Sequence, residues 1–575
     1  MSERGGRSVV RALEDEGVPY TFGIPGTHNI ELYDVLGESD AVEPVLVTNE
    51  QSASFMADGL WRATGRLGCV NLVPGAGLTH ALSGIAEAYL DNVPMLVLSC
   101  GVRSDTEKAY QLHDVDQMGI AAPVTKARIR PERGEELYRA VRHACRLARS
   151  GAPGPVMVEV PAQLYLHSHS GRDEEPADLP PIPEPALDAE DVARAADVLR
   201  EAGRPLLYVG QGAAGAGEDL VALAEALEAP VATTFQGKGV FPESHPLWMW
   251  PGFGDAAPPH AREIAGECDA TLAIGCRFSE VGTGSYGLEP PEPLVHVDID
   301  PAVPGRNFPA RVAVTADARE LVPALLDRLD RRSPDDDLRE RIERGLAEVR
   351  EQWLDSEGES DRVSPLRLLE ALQSRYGSEA AYVTDSGNGT FLALEGLRLD
   401  RPRRFLAPVD YSCMGYSVPA AVGAALGRPG EPTVALVGDG AFLMTGLELL
   451  TAAARELPLL ALVLRDGELA QIAQFQEMAL DRKVASRLPD YDVGGICRAC
   501  GAAHLELSSD GEIEGVLDEA GAVLSDGRPA VVEVAVDYSY RTYLTRGAVK
   551  TSFRRLPWKE RLRMIGRAAV RKVTG

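Results

Sequence analysis

Two short stretches of the chain combine residues that could hold a divalent cation beside an anion. Gly438-Asp439-Gly440 is followed, after 24 residues, by Arg465-Asp466-Gly467. Asp439 ends the apolar run TVALV and opens a helical stretch, while Asp466 ends the run LLALVL. Carboxylates are hard oxygen ligands suited to Mg²⁺ or Ca²⁺, and magnesium commonly bridges one or two of them to phosphate groups. Neighbouring strands of a parallel sheet bring their carboxyl ends to one rim, where such sheets bind ligands. The same aspartates could instead cap helices, each contributing about 0.5–2 kcal/mol. Spacing alone leaves both roles open.

For the two carboxylates to meet, their runs must be strands of one sheet. Short β-branched or apolar runs do recur along the chain: Pro44–Thr48, Met95–Ser99, Leu206–Val209, Thr271–Ile274, Thr433–Val437 and Leu459–Leu464. They alternate with alanine- and leucine-rich helical stretches, the pattern of parallel strands covered on both faces. The fold class is α/β, as three doubly wound parallel-sheet domains. A proline- and charge-rich segment at 167–185 and a charged segment at 331–359, with a surface helix from Asp337 to Trp353, read as linkers. They divide the chain into 1–166, 186–330, 360–545 and a tail at 546–575.

A faint repeat joins the first and third pieces. RATGRLGCVNLVPGAGLTHALSGIAEAYLDNVPMLVLS and GAALGRPGEPTVALVGDGAFLMTGLELLTAAARELPLLALVL both run helix, Gly-Arg, strand, Gly-x-Gly, helix, proline, strand. Glycines between strand and helix let a ligand approach the backbone. Two such turns in duplicated contexts suggest paired domains with a ligand between them.

The composition narrows the classes. With 575 residues, 45% hydrophobic and 25% charged, the chain is globular and long enough for several domains. No apolar run approaches the ~20 residues of a spanning helix, and MSERGGRSVVRALEDEG is no signal peptide, so a cytoplasmic protein is expected. The 58 Lys+Arg against 86 Asp+Glu give −28, which excludes a nucleic-acid coat. The tail from Arg546 holds ten basic residues and one acid, +9 against −37 for the rest. Eight cysteines are too sparse for a disulfide scaffold. Cys497 and Cys500 lie on a helix-patterned run and read as core.

GDG-x24-RDG resembles the diphosphate-and-magnesium motif of thiamine diphosphate enzymes. FGIPGTHNIELYDVL resembles that family's opening turn. NEQSASFMADGLWRATGRLG resembles the segment with its activating glutamate, and DYSCMGYSVPAAVGAALG the segment that bends the cofactor. The resemblance covers roughly 1–545 and implies pyrimidine-binding, central nucleotide-fold-like and diphosphate-binding domains. It also implies thiamine diphosphate and Mg²⁺ as cofactors. Glu50 would correspond to the glutamate that hydrogen-bonds the pyrimidine N1′ and favours the imino tautomer, whose N4′ can take the thiazolium C2 proton. Met414 would be the wedge between the cofactor rings, and the Ser412 carbonyl the acceptor for its amino group. Asn388 and Gly389 would contact the diphosphate, as would the turn Gly438, Asp439, Gly440 and Ala441, the last two through backbone donors. Asp439, Asp466 and the Glu468 carbonyl would ligate magnesium. Asp466 stands where the family usually has asparagine, which adds charge near a diphosphate that neighbouring Arg465 is placed to offset.

GELAQIAQFQ, with Gln474 and Phe475, resembles acetolactate synthases, as do AYQLHDVDQ with Gln111, TTFQGKGVFPESHPL and GCRFSEVGTG. The reaction implied is decarboxylation of a 2-oxo acid such as pyruvate, with carboligation to a second carbonyl. Departures keep alternatives open. Val73-Pro74-Gly75-Ala76-Gly77 replaces the usual Ser-Gly-Pro-Gly turn. Thr27, His28 and His113 fall in regions that hold proton donors in related decarboxylases, so aldehyde release is the second reading. A thiamine-fold subunit without catalysis is the third. FAD stays open as a structural cofactor, while VGQGAAGAGE lacks the nicotinamide fingerprint. The resemblance further implies a homodimer or homotetramer with the cofactor between subunits. The basic tail, amphipathic from Trp558, reads as a helix folded back near the site, with an anionic membrane surface the less favoured partner.

Overall fold

The computed structural model describes residues 2–170, 173–183, 185–356 and 361–574. After β1 (Ser2–Arg4), the first sheet collects β2 (Tyr20–Gly23), β3 (Glu43–Leu46), β4 (Gly68–Leu72), β5 (Met95–Gly101), β6 (Ala127–Ile129) and β7 (Pro155–Pro161). Its spatial order is β3-β2-β4-β5-β7-β6. A short β8 (Ser168–Ser170) returns antiparallel to β1. The second sheet holds β9 (Pro205–Val209), β10 (Val231–Thr233), β11 (Trp248–Pro251), β12 (Ala270–Ile274), β13 (Leu294–Asp298) and β14 (Val312–Thr315), in the order β11-β10-β9-β12-β13-β14. The third holds β15 (Ala381–Thr384), β16 (Phe405–Leu406), β17 (Thr433–Gly438), β18 (Leu459–Arg465), β19 (Ala503–Leu507) and β20 (Ala530–Ala535), in the order β16-β15-β17-β18-β20-β19. Every pairing within these three sheets is parallel. Helices flank each sheet, which explains the unbroken apolar runs: β4, β5, β9, β12 and β13 are buried along their whole length.

The first and third sheets share one strand order, so the faint sequence repeat is a repeat of topology. They pack on each other within the chain. Helix Glu50–Thr64 starts at Asn49, whose side chain accepts from the Gln51 N–H, and stops at Gly65, in the left-handed region at φ 76°. It crosses helix Ser417–Gly427 at two glycines. A Cβ on Gly59 would lie 2.1 Å from the Ala420 carbonyl oxygen, and one on Gly423 would lie 2.0 Å from that of Met56. The close approach fuses apolar residues of both sheets into one core.

The charged segment after 331 is no spacer. Helix Asp336–Asp355 buries Leu338, Ile342, Gly345, Val349 and Trp353 on one face. The first linker begins with β8, which is held by pairing to β1. The central sheet joins the third through a buried ion pair. Lys238 donates to Glu243 at 2.7 Å and to the carbonyls of Leu394 and Leu397 at 2.9 Å, both partners being fully buried. Cys497 and Cys500 are buried, as expected of core thiols. Among the described residues, no helix is long and apolar enough to cross a membrane.

Candidate active site

β17 and β18 are hydrogen-bonded neighbours, with Gly438 opposite Leu464. Asp439 and Asp466 therefore leave the sheet at one rim. Asp439 is buried, and its carboxylate ties the two strand ends together: Oδ1 accepts the Gly440 N–H and Oδ2 the Gly467 N–H, both at 2.8 Å. Tyr491 donates its hydroxyl to the Asp439 carbonyl at 2.9 Å. Asp466 Oδ1 accepts the Glu468 N–H at 3.2 Å. Burial pushes the Asp466 carboxyl up to about 6, with Asp439 and Glu468 adding to the shift. Burial raises Asp439 as well. A buried acid beside a half-buried one, the first disfavouring the charge of the second, is a donor set suited to a hard cation. The Glu468 carboxylate is taken by Lys483 at 2.7 Å and Arg487 at 3.5 Å.

A crevice of about 120 Å³ opens at this rim. Its walls include Asn388, Gly389, Met414, Gly438, Asp439, Gly440, Ala441, Asp466 and Glu468, nearly all of the diphosphate and metal residues expected from the sequence. Ser412 does not line it but adjoins it, its hydroxyl 2.8 Å from that of Ser386. Ser412 has φ 62°, a left-handed conformation that non-glycine residues adopt at a cost and that clusters at functional loops. Sequence reasoning missed Asp385. This buried acid accepts the N–H groups of Gly415 and Ser417 at 2.9 and 2.8 Å and so fixes the loop carrying Met414. Burial pushes it up to about 7 against those donors. The only local signal was an aspartate ending the strand AYVT.

Arg465 does not offset Asp466. Its guanidinium turns to Asp490, to Glu533 at 2.9 Å and to the Tyr491 carbonyl at 3.1 Å. Glu533 also meets His504 at 3.0 Å. The cluster His504, Glu506 and Glu533 is thereby held by an arginine and belongs to an ion-pair network.

The first sheet contributes a second set of groups. Glu50 opens its helix, largely buried, with Oε2 3.1 Å from His80 Nδ1. Gly77 lies beside it: a Cβ there would be in ordinary contact with Glu50 Oε1 at 3.6 Å and would crowd the Val73 side chain at 2.9 Å. Thr27 Oγ1 is 3.2 Å from His28 Nδ1, and the His28 and His113 rings are 5.4 Å apart. Burial and His113 both lower the His28 pKa. Gly75 sits at φ 62°, where a Cβ would also meet the His113 carbonyl at 2.8 Å, so this glycine lets the histidine loop close on helix Ala76–Leu90. The Gln111 amide donates to the Arg103 carbonyl at 2.8 Å, within its own loop. None of these residues lines the 120 Å³ crevice, whose walls all come from 385–538.

A larger cavity, about 450 Å³, lies at the rim of the central sheet. It opens where β9 and β12 are neighbours and the strand order reverses, between Gln211–Gly215, Gly275–Phe278, Asp298 and Arg319.

Comparisons with known proteins agree with this geometry. Three family models match the chain: "Thiamine pyrophosphate enzyme, N-terminal TPP binding domain" over 3–120, "Thiamine pyrophosphate enzyme, central domain" over 192–325 and "Thiamine pyrophosphate enzyme, C-terminal TPP binding domain" over 385–534. The chain is 32% identical over 565 residues to the acetolactate synthase isozyme 3 large subunit of Escherichia coli, covering 94% of this chain and 96% of that one. It is 32% identical over 551 residues to the acetolactate synthase large subunit of Corynebacterium glutamicum, covering 92% and 86%. It is 30% identical over 552 residues to the probable acetolactate synthase large subunit of Methanocaldococcus jannaschii, covering 93% and 92%.

Proposed function

The chain belongs to the thiamine pyrophosphate enzyme family, and from that premise we propose a reaction and a role for each residue. It decarboxylates a 2-oxo acid such as pyruvate and joins the remaining fragment to a second carbonyl, an acetolactate synthase-like carboligation. The bound cofactor supplies the electron sink for loss of CO₂. Asp439, Asp466 and the Glu468 carbonyl are suited to hold Mg²⁺ against its diphosphate. Asn388, Gly389, Gly440 and Ala441 would hold the diphosphate, while Met414 and the Ser412 carbonyl would position the rest of the cofactor. Glu50 shares a proton with the pyrimidine nitrogen. His28, kept neutral near pH 7 by its surroundings, and His113 handle protons on the substrate side, with the Thr27 hydroxyl orienting His28.

Glu50 lies outside the crevice of its own chain, which supports a cofactor shared between two copies. The apolar surface of Leu443, Met444, Leu447 and Leu450, each at least 44% exposed, supports a homodimer buried through that face. The observation that carries the reading is the gathering of Asp439, Asp466, Asn388 and Met414, 78 positions apart at the extremes, into one small crevice. Mass spectrometry of products from a panel of 2-oxo acids, with thiamine diphosphate and Mg²⁺, tests it. Acetolactate from pyruvate is the expected result, and acetaldehyde as sole product overturns it.

The 450 Å³ cavity sits at a topological switch point, where open α/β sheets bind nucleotides, and supports FAD there. A flavin absorbance spectrum in the purified protein checks this. The tail helix Trp558–Thr574 packs on helix Ala470–Leu480, whose first residues wall the crevice. This favours a lid over a membrane anchor. Deletion of 556–575 is expected to lower turnover without changing liposome binding.

A further inference from the structure

Helix Ala76–Leu90 begins beside Glu50 and ends under the loop that carries Met414. Glu87, in its last turns, is completely buried. Its Oε2 accepts the N–H of Cys413, the residue before Met414, at 2.9 Å. Its Oε1 is sealed from solvent with no hydrogen-bond partner. One turn earlier, the Ser83 carbonyl accepts from the Cys413 thiol at 3.4 Å. From the opposite side, Asp385 takes the N–H groups of Gly415 and Ser417, and Thr445 donates to the Gly415 carbonyl at 2.6 Å. Residues 412–415 are thus gripped by one carboxyl from the third sheet and another from the first.

An apolar side chain at position 87 would bury without penalty, whereas a carboxyl with an orphan oxygen is costly. What the carboxyl adds is the Cys413 hydrogen bond. Burial pushes it up to about 9, Asp91 and Asp58 adding to the shift and Arg62 opposing it. It therefore holds the loop as a neutral acid near pH 7, and no unpaired charge is buried.

We propose that Glu87 is a positioning residue: from the N-terminal domain it fixes residues 412–415, and with them the Met414 side chain and the Ser412 carbonyl. The functional part of this rests on Met414 acting as the wedge, while the clamp itself does not. Parent, Glu87→Leu, Glu87→Thr and Glu87→Gln chains separate the two. Without added cofactor, amide deuterium exchange of peptides spanning 410–417 is expected to quicken about tenfold or more in the Leu and Thr variants. It is expected to stay near parental in the Gln variant, which keeps a carbonyl acceptor. With thiamine diphosphate, Mg²⁺ and pyruvate, kcat is expected to fall about 10–100-fold in Leu and Thr, with KM nearly unchanged and Gln close to parent. Unchanged exchange in whichever of Leu and Thr folds overturns the proposal. Equal kcat losses in Gln and Thr overturn it too. A parent without turnover on pyruvate, but with the exchange difference intact, upholds the clamp and sinks the functional reading.

Discussion

The first and third sheets share one strand order, yet their rims carry different kinds of side chain. The first, β3-β2-β4-β5-β7-β6, presents titratable pairs: Glu50 against His80, and His28 against His113. The third, β16-β15-β17-β18-β20-β19, gathers Asp439, Asp466 and Asn388 around one crevice, the proposed cradle for an anion and a cation. The difference arises at equivalent turns. After β4 the chain reads Val73-Pro74-Gly75-Ala76-Gly77, where Gly75 admits the His113 loop and Gly77 packs against Val73. After β17 it reads Gly438-Asp439-Gly440, where one carboxylate pins two strand ends and lines the crevice. A duplicated scaffold thus supplies similar rims, and the side chains at the turn decide which groups each rim presents.

Substitutions can break this division of labour, beginning with the joint that holds the cradle in place. Lys238→Met leaves Glu243 buried without its cation and is expected to cost about 3–5 kcal/mol of stability, read as a lower denaturation midpoint for the central and third units. Glu50→Gln is expected to lower turnover at least ~100-fold while calorimetric binding of thiamine diphosphate and Mg²⁺ persists. Near-normal turnover would remove Glu50 from the chemistry and erase the distinction between the rims. Asp466→Asn is expected to weaken Mg²⁺ binding a few-fold, because the second carboxylate adds ligand charge. Tighter binding in the titration would show that its charge burdens the cradle. His113→Asn gives the smallest effect. Since burial and His113 lower the His28 pKa below the ordinary 6.5, His28 sheds its proton early and the acid limb of kcat/KM lies below that pH. Removing His113 lifts part of the depression, so the limb moves upward by a fraction of a pH unit.

Much of the cradle was legible in the sequence because its parts are local. Asp439 and Asp466 each follow an apolar run long enough to read as a strand, and parallel pairing brings the ends of such runs together. The two related strand orders were visible as a faint repeat for the same reason. What stayed hidden depends on distant pairing or on side-chain direction. Asp385 acts 30 residues away on Gly415, and Glu87 acts across 326 residues on Cys413. No local pattern separates either from an ordinary helix or turn acid. Arg465 adjoins Asp466 in sequence but ends a strand and turns toward Glu533 and Asp490, because adjacent residues on a strand point to opposite faces. The pairing of β8 with β1 joins segments about 166 residues apart, so a stretch with linker composition conceals a strand.

The glycine crossing of helices Glu50–Thr64 and Ser417–Gly427 has an arithmetic consequence. It welds the two unlike rims of one polypeptide together, so under the proposed sharing of the cofactor between copies each polypeptide would bring half of two different reaction centres. Chains disabled at Glu50 and chains disabled at Asp439, each inert alone, should therefore rescue one another when co-assembled. Every hybrid pair would hold one centre with both faults and one with neither. Equal mixing would restore about a quarter of the parental centres, and dilution below the dissociation constant of the dimer would take that recovery away.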